Sequence, residues 1–338
     1  MPTRSPSFSI IVTCYNYGRY VAQAIESALS QTYANKQLIV VNDGSTDDSL
    51  EVISRYADRV QIIDQPNAGS IAAYNRGYQA ASGDAIVLLD ADDVLAPGAL
   101  DQVAAIWTEQ TAKVQWDLSI IDAAGRDLGR KFCNFDPRYD AQRVRDAFRR
   151  TGTYRWPVSA GNAYARWFAD ELFPLSPAHG PDGALNTVAP VYGVVETLAR
   201  PLGSYRIHGR NIWSNTATDV VRLPERIRQR SDEAELMRQH AHRRGVEVPS
   251  GSVLDHEIAF VNYRMMAKAL ELDYPGSARD SRARLLRQAL RVLRAERYPT
   301  QLSLAHMAWF SALAVAPPVS AARLISARFS RNNRQQSA

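Results

Sequence analysis

Short apolar runs rich in Ile and Val alternate with helical patterns in residues 8–95, and this alternation restricts the possible folds more than any other feature. The intervening segments repeat apolar residues at helical spacing, as Val21, Ile25 and Ala28 do. The runs cover residues 8–13, 37–41, 60–63 and 85–89. Uninterrupted apolar runs are typical of strands buried on both faces. Because strands that alternate with helices are joined by right-handed crossovers, the sequence predicts an α/β fold with a Rossmann-like sheet and helices on both faces.

The pattern changes after residue 93. Residues 97–107 predict a helix, whereas residues 113–121 and 127–131 flank a turn as the strands of a hairpin do. A hairpin adds antiparallel strands, so the predicted sheet is mixed. Prolines punctuate residues 132–215, which are predicted to be irregular. Charged, periodic segments follow and predict three helices, over residues 219–243, 252–272 and 277–296.

Charge is divided unevenly along the 338 residues. Residues 1–200 contain 18 Lys and Arg against 23 Asp and Glu, and residues 201–338 contain 22 against 12, so the two parts carry −5 and +10. This asymmetry indicates that the C-terminal part meets an anionic surface, either phospholipid headgroups, nucleic acid or a phosphorylated acceptor. The arginines are spread over amphipathic helices without a recognisable reader motif, so we expect no nucleic-acid partner.

The two cysteines, Cys14 and Cys133, lie far apart and have no ligand-like spacing. Their number and spacing imply neither a disulfide framework nor a zinc site, and they suit a reducing compartment. The first apolar run is too short for a signal peptide. We therefore expect a cytoplasmic protein.

Polar side chains follow each of the four predicted strands. In an open parallel sheet, ligands bind beyond the carboxyl ends of the strands, so these side chains should face one crevice. The candidate binding residues are Thr13, Tyr15 and Asn16 after the first strand, Asp43 after the second, Asn67 and Gly69 after the third, and Asp90 and Asp92 after the fourth.

Three carboxylates, those of Asp90, Asp92 and Asp93, stand within four residues at the end of the fourth strand. Close carboxylates repel one another, and a cation relieves that repulsion. Mg²⁺ or Mn²⁺ held by two carboxylates would keep coordination positions open for phosphate oxygens. The alternative is a solvated acidic turn, because a D-x-D pattern alone is very short.

Asp43 can accept a hydrogen bond from a nucleobase N–H, with Tyr15 offering an aromatic face and Thr13 a polar contact. The alternative is that Asp43 and Ser45 cap the helix that follows and that Tyr15 belongs to the core. Ser45 and Asp48 have the spacing of a capping box before the next helical segment.

These residues lie in stretches that carry a family resemblance. The stretches are SIIVTCYNYGRYVAQAIESALSQTY, IVVNDGSTDDS and QPNAGSIAAYNRGYQAASGDAIVLLDADD, and in order and spacing they resemble the family 2 glycosyltransferases of the GT-A fold. The resemblance is dense over residues 8–95 and sparser to about residue 215. It implies a nucleotide-sugar donor, a divalent ion and inversion at the anomeric carbon. By family habit, a UDP-sugar is the expected donor.

The resemblance also implies roles for later residues. Asp182, in His179-Gly180-Pro181-Asp182, matches the family's general base, although Pro181 stands where Glu is commoner. The motif that contains Arg206 and His208 resembles one whose basic residue and histidine lie near the diphosphate, so His208 joins Asp92 and Asp90 as a candidate metal ligand. Trp156, Gly161 and Asn162 match a segment that lines the acceptor site.

The resemblance divides the chain into a catalytic domain and a helical region. Residues 1–215 form the GT-A domain, with a nucleotide-binding half at 1–95 and an acceptor-binding half at 96–215, and residues 216–338 form the helical region. The implied function is inverting sugar transfer to a saccharide or lipid-linked acceptor in cell-surface polysaccharide or glycolipid synthesis. The alternatives are a catalytically inactive scaffold and a sugar nucleotidyltransferase, which would be expected to carry a glycine-rich basic loop after strand one.

Residues 298–330 are the candidate membrane element. No charged side chain occurs between Arg297 and Arg323, but the apolar segment of residues 302–316 is shorter than a spanning helix requires. With arginines following it, the segment predicts a surface element that docks on anionic lipid at the inner face of the cytoplasmic membrane. The alternative is a helical pair packed on the catalytic domain or on a second subunit of a homodimer.

Overall fold

The computed structural model describes residues 5–208, 220–295 and 300–337, with side chains as far as residue 328. Two compact units can be distinguished. The first comprises Met1–Phe148, Tyr154–Arg206 and Gln239–Val246, and the second comprises Arg149–Thr153, Ile207–Arg238 and Glu247–Ala338.

The first unit contains a mixed sheet of nine strands. They are β1 (Phe8–Cys14), β2 (Lys36–Asp43), β3 (Gln61–Gln65), β4 (Ala85–Asp90), β5 (Val94–Leu95), β6 (Thr111–Ile121), β7 (Asp127–Lys131), β8 (Asn162–Ala165) and β9 (Val194–Arg206). Their order is β3-β2-β1-β4-β8-β6-β9-β5, with β7 paired to β6. Strands β1 to β4 are parallel, and β8 runs antiparallel to both β4 and β6. The predicted mixed sheet is confirmed.

The predicted helices between the strands are present as α1 (Gly18–Leu29), α2 (Ser49–Ser54), α3 (Ser70–Ala80) and α4 (Ala99–Ala105). These helices lie on both faces of the sheet. Alternate residues of each strand point to opposite faces, and because strands β1, β2 and β4 carry apolar side chains on both faces, both faces need helices to cover them. On one face, Val21 and Ile25 of α1 share a buried cluster with Ile10 and Val12 of β1. On the other face, Gly77 of α3 lies directly against Ile11, where any larger side chain would collide.

Residues 132–208 are more regular than predicted. They contain α5 (Ala141–Thr151), α6 (Arg166–Ala169), α7 (Pro181–Tyr192) and the two strands β8 and β9. The prolines misled the prediction. Pro181 occupies the first turn of α7, where proline is tolerated, and Pro201 lies at an irregularity in the pairing of β9 with β6.

The second unit is helical, as the periodic segments predicted. The helices are α8 (Leu223–Arg244, whose last turns belong to the first unit), α9 (Ile258–Ala269), α10 (Arg282–Ala295), α11 (Thr300–Val315) and α12 (Pro318–Ser337). Its core contains Met265, Leu285, Phe310 and Ile325. Within the described ranges, none of the helices combines the length and the apolar character needed to cross a lipid bilayer.

Candidate active site

The carboxyl ends of the first four strands lie at one edge of the sheet, as the sequence predicted. Thr13 is paired with Val41 on one side and with Asp90 on the other. Asp43 is paired with Gln65 at the end of β3. The loops that follow these four strands therefore start side by side, and their predicted binding residues share one edge.

Asn16 joins the loop after β1 to the loop after β2. Its backbone is left-handed, with φ of 59°, its N–H donates to the Ser45 hydroxyl at 3.0 Å, and its side-chain oxygen accepts from the Thr46 N–H at 2.7 Å. The predicted capping box is wrong. Helix α2 begins at Ser49, so Ser45 lies too far upstream to cap it, and Asp48 makes no side-chain cap hydrogen bond. The Ser45 hydroxyl instead accepts from Asn16 in the loop after β1.

Asp43 organises the loop after β3. Its buried carboxylate accepts hydrogen bonds from the side chain of Gln65 at 2.7 Å and from the N–H groups of Ala68 and Gly69 at 3.0 and 2.9 Å. Gly69 has a φ of 87°, which favours glycine. The Asp43 carboxylate thus fixes the conformation of the loop after β3 and does not cap helix α2.

The remaining nucleoside candidates differ in exposure. Tyr15 exposes 46% of its surface, so an aromatic face is available to a ligand at this edge, whereas Thr13 is 8% exposed. Asn67 is exposed and its backbone lies against Gly44, where a Cβ atom would collide. Base binding by these residues stays a prediction.

The acidic turn after β4 is largely buried, so it is not a solvated loop. Asp92 and Asp93 are 7% and 1% exposed. The Tyr74 hydroxyl donates to Oδ1 of Asp90 at 2.6 Å. Burial, followed by the charge of Asp92, raises the pKa of Asp90 to about 7, and burial raises the pKa of Asp93 well above its ordinary value. Carboxyls with such pKa values are costly to ionise without a cation.

Arg206, at the end of β9, is hydrogen-bonded to the acidic turn. Its N–H donates to Oδ1 of Asp93 at 3.0 Å and its Nε donates to the main-chain oxygen of Asp92 at 2.8 Å. The guanidinium also donates to Gln23 and is 1% exposed. The basic residue of the late motif therefore holds the aspartates in place. His208 follows β9 by two residues, and metal binding by it stays a prediction.

The oxygen donors of the turn suit a divalent ion. In the part of the chain that the structure describes, the buried Oδ2 of Asp93 has no hydrogen-bond partner. Carboxylate oxygens of this kind are the ligands that Mg²⁺ and Mn²⁺ prefer. Across residues 5–208, 220–295 and 300–337, no three His, Cys, Asp or Glu side chains form a metal-binding group.

Asp182 lies in the first turn of α7, close to this cluster. Burial raises the pKa of its carboxyl, and hydrogen bonds from Ser159 and the charge of Lys113 oppose that rise. Hydrogen bonding from Ser159 likewise lowers the pKa of Asp90. The 4% exposed Ser159 therefore connects the acidic turn to the predicted base.

The predicted acceptor residues flank Ser159 in the chain, with Trp156 before it and Gly161 and Asn162 after it. Asn162 is fully buried, and its amide donates to the main-chain oxygens of Pro157 and Val158 at 3.2 and 2.8 Å. Gly161 packs against Pro157, where a Cβ would collide. Trp156 is half-buried. Gly161 and Asn162 thus shape the loop that carries Trp156 and Ser159, and acceptor contact by the three predicted residues stays a prediction.

Comparison with known proteins identifies the family. The model of the family described as glycosyl transferase family 2 matches residues 9–160. An uncharacterized glycosyltransferase of Nostoc sp. is 32% identical over 218 residues, which cover 62% of this chain and 67% of the relative. The chain belongs to the family 2 glycosyltransferases. A shorter match links this family 2 chain to the chondroitin synthase of Pasteurella multocida, 41% identical over 101 residues, which are 29% of this chain and 10% of the synthase.

Solved structures show the fold of this family 2 glycosyltransferase. The mannosyltransferase PcManGT from Pyrobaculum calidifontis, in complex with GDP-Man and Mn²⁺, superimposes with a TM-score of 0.53 at 16% identity, covering 99% of this chain and 87% of that one. S. aureus TarS 1–349, in complex with UDP-GlcNAc, has a TM-score of 0.51 at 14% identity, covering 96% and 92%. The predicted GT-A-type fold with a helical C-terminal region is confirmed.

Two residues near Asp182, Ser159 and Lys113, were not predicted from the sequence. Neither belongs to a short motif, and both come close to Asp182 only through folding. A lysine within an apolar strand was the one available indication, because lysine is rarely buried without a partner.

Proposed function

We propose that this glycosyltransferase is a metal-dependent, inverting enzyme that transfers a sugar from a nucleotide diphosphate to an acceptor hydroxyl. The observation that supports this most is the group of Asp90, Asp92, Asp93 and Asp182 near the strand edge where the nucleoside candidates also lie, in which Asp92 and Asp93 are buried and burial raises the pKa of Asp90, Asp93 and Asp182. A UDP-sugar is the favoured donor. The complexes of TarS with UDP-GlcNAc and of PcManGT with GDP-Man and Mn²⁺ support a nucleotide-sugar donor and a divalent ion.

In the proposed reaction, the acceptor oxygen attacks the anomeric carbon as its proton passes to Asp182, and the bond from that carbon to the diphosphate oxygen breaks. A pKa raised by burial makes the Asp182 carboxylate a better base than a solvated aspartate. Tyr15, Asn16, Thr13, Asp43, Asn67 and Gly69 would hold the nucleotide. Mn²⁺ or Mg²⁺, held by Asp92 and Asp90 with His208 as a further candidate, would neutralise the charge that develops on the diphosphate.

For the acceptor, we propose a saccharide or a lipid-linked saccharide, held near Trp156, Gly161 and Asn162, in cell-surface polysaccharide or glycolipid synthesis. A membrane-bound acceptor suits the second unit. Helices α11 and α12 expose Leu304, Val315 and Val319 by 65%, 83% and 68%, and residues 297–338 contain five arginines and no acidic residue. We infer that this surface rests on anionic lipid at the inner face of the cytoplasmic membrane. Burial of the same surface in a homodimer is the alternative.

A transfer assay tests the proposal. The full chain would be incubated with a panel of nucleotide sugars that includes UDP-GlcNAc and GDP-Man, with Mn²⁺, Mg²⁺ or a chelator, and nucleotide release would be measured. We expect release with one donor class, and loss of release with the chelator. Replacement of Asp182 by Asn should lower the rate by about a hundred- to ten-thousand-fold while nucleotide binding remains.

The two alternatives would give different results. An inactive scaffold would bind nucleotides in a thermal-shift screen but release none. A sugar nucleotidyltransferase would form a nucleotide sugar from a sugar phosphate and a nucleoside triphosphate. Unchanged turnover in Asp182→Asn would remove this aspartate from the mechanism.

A further inference from the structure

Lys113 is fully buried in the middle of the first unit. It lies on β6, and its Nζ donates to Oε1 of Gln115 at 2.9 Å and to the Tyr154 hydroxyl at 3.1 Å. The ring centroids of Tyr154 and Tyr164 lie 5.1 and 6.0 Å from Nζ. Two hydrogen-bond acceptors and two aromatic rings hold the ammonium group of Lys113 in one place. The lysine can therefore fix the positions of the groups to which it is hydrogen-bonded.

The hydrogen bonds continue from Lys113 to helix α7. Tyr154 has a single hydroxyl proton, which it donates to the main-chain oxygen of Asn186 at 2.6 Å, so its oxygen is an acceptor for Lys113. The Tyr164 hydroxyl donates to Oδ1 of Asn186 at 3.0 Å. Nδ2 of Asn186 donates to the main-chain oxygen of Pro157 at 3.3 Å. The backbone and side chain of Asn186 are thus bonded to two segments, residues 154–157 and strand β8.

Asn186 stands four residues after Asp182, which places both side chains on the same face of α7. The helix starts at Pro181, and the preceding residue, Gly180, has no side chain that could cap it. Contacts of the second turn therefore contribute to the placement of the first. Asn186 also holds Pro157, two residues before Ser159, which hydrogen-bonds to Asp182.

Charge adds to this connection. Burial lowers the pKa of Lys113 well below its ordinary value, and the nearby Cys133 and Asp182 oppose that shift. Among the described residues, the charge of Asp182 also raises the pKa of Asp90 on β4, Tyr74 on α3, Tyr164 on β8 and Tyr205 on β9. When Lys113 is protonated, its charge lowers the pKa of Asp182.

We propose that Lys113 is a positioning residue for sugar transfer, which through Tyr154 and Asn186 holds the first turn of α7 so that Asp182 faces the acceptor hydroxyl. The inference rests on the proposed function, since it needs Asp182 to be the base. Lys113 itself touches neither donor nor acceptor in this scheme. Its loss should slow the chemical step and spare donor binding.

Two variants of the full chain test the proposal, Lys113→Met, which keeps the volume of the side chain, and Tyr154→Phe, which keeps the ring beside the lysine and removes the bond to Asn186. The matched control is Tyr56→Phe, because the buried Tyr56 hydroxyl bonds to Glu26 at 2.9 Å on another face of the unit. Transfer would be measured with the donor and metal on which the wild-type chain is active, and circular dichroism would report the folded fraction.

In both Lys113→Met and Tyr154→Phe, we expect kcat to fall about ten- to a hundredfold per folded molecule, with KM for the nucleotide sugar within about twofold of wild type. Tyr56→Phe should keep wild-type kcat. If Lys113→Met does not fold, Tyr154→Phe decides. Wild-type kcat in a folded Tyr154→Phe, or equal losses in that variant and the control, would overturn the inference while leaving the proposed function intact. A wild-type chain that turns over no nucleotide sugar would remove the proposed function and this inference with it.

Discussion

Tyr74 donates a 2.6 Å hydrogen bond from its hydroxyl to Oδ1 of Asp90, and this bond joins helix α3 to the end of strand β4. It favours the ionised form of a carboxyl whose pKa is raised to about 7 by burial and by the charge of Asp92. Asp90 therefore changes charge near neutral pH, and Tyr74 helps to set where that change occurs.

Binding of Mn²⁺ with a nucleoside diphosphate should strengthen as the pH rises through about 7, because Asp90 must be ionised to bind a cation. Tyr74→Phe removes a hydrogen bond to the charged form, so the pKa of Asp90 rises and the midpoint should move to higher pH by about half a unit to one unit. Calorimetric titration at several pH values measures the binding affinity and so the midpoint of its pH dependence. Tyr78→Phe is the control, since Tyr78 stands one turn further along α3 and bonds to Asp170 instead. An unmoved midpoint in Tyr74→Phe would contradict the prediction.

Replacement of Asp43 by Asn should weaken nucleotide binding by about tenfold or more, while kcat at saturating donor changes little. The carboxylate accepts from Gln65, Ala68 and Gly69, and an amide NH₂ cannot accept from all three, so the loop after β3 would shift. Isothermal titration with UDP measures the change. Asp64→Asn is a matched control on the adjacent strand β3, because Asp64 accepts from the side chain of Asn42, the residue before Asp43. Equal affinity in both variants would show that Asp43 does not organise the nucleotide site.

Arg206→Met should lower the free energy of unfolding by about 3 kcal/mol, because the main-chain oxygen of Asp92 would lose its buried Nε donor and Asp93 would lose the nearby positive charge. The main-chain N–H of residue 206 would still donate to Asp93. Urea unfolding measures the loss of stability. Arg126→Met provides the comparison, since Arg126 pairs with Asp122 but its side chain is 71% exposed, and it should cost less than about 1 kcal/mol. Similar losses in the two variants would mean that Arg206 does not support the acidic turn.

The double variant Leu304→Ser and Val315→Ser should bind vesicles that contain phosphatidylglycerol at least about tenfold more weakly than wild type, because each apolar side chain contributes about 1.5 kcal/mol or more when buried. Flotation of the full chain with and without the anionic lipid measures binding. Val221→Ser is the control, as Val221 is 81% exposed elsewhere in the second unit.

The same experiment separates the membrane from a second subunit. If α11 and α12 form a homodimer contact, the double variant would become monomeric in analytical ultracentrifugation and wild type would not float with vesicles. Wild-type flotation that is independent of phosphatidylglycerol would contradict a role for the arginines after residue 322.

The strands and helices up to residue 95 were predictable because they are indicated by patterns among residues close in the sequence. Apolar runs, helical spacing and polar strand ends are properties of neighbouring residues, and they indicated strands β1 to β4, helices α1 and α3, and the edge at which Asp43, Asp90 and Asp92 lie. Periodicity also indicated α9 and α10. Local patterns failed where proline has two structural meanings, as in α7 and β9, and where the spacing of Ser45 and Asp48 imitated a cap.

By itself, the sequence determined an α/β sheet with acidic groups at one edge, since the periods of strands and helices decide which side chains are buried. Only the tertiary structure decided which groups support those acids. Arg206 reaches Asp93 across 113 residues, and Tyr154 reaches Asn186 across 32. Such contacts depend on where whole strands are placed in the sheet, and the order β4-β8-β6-β9 is set by the packing of the complete core, which no short segment encodes.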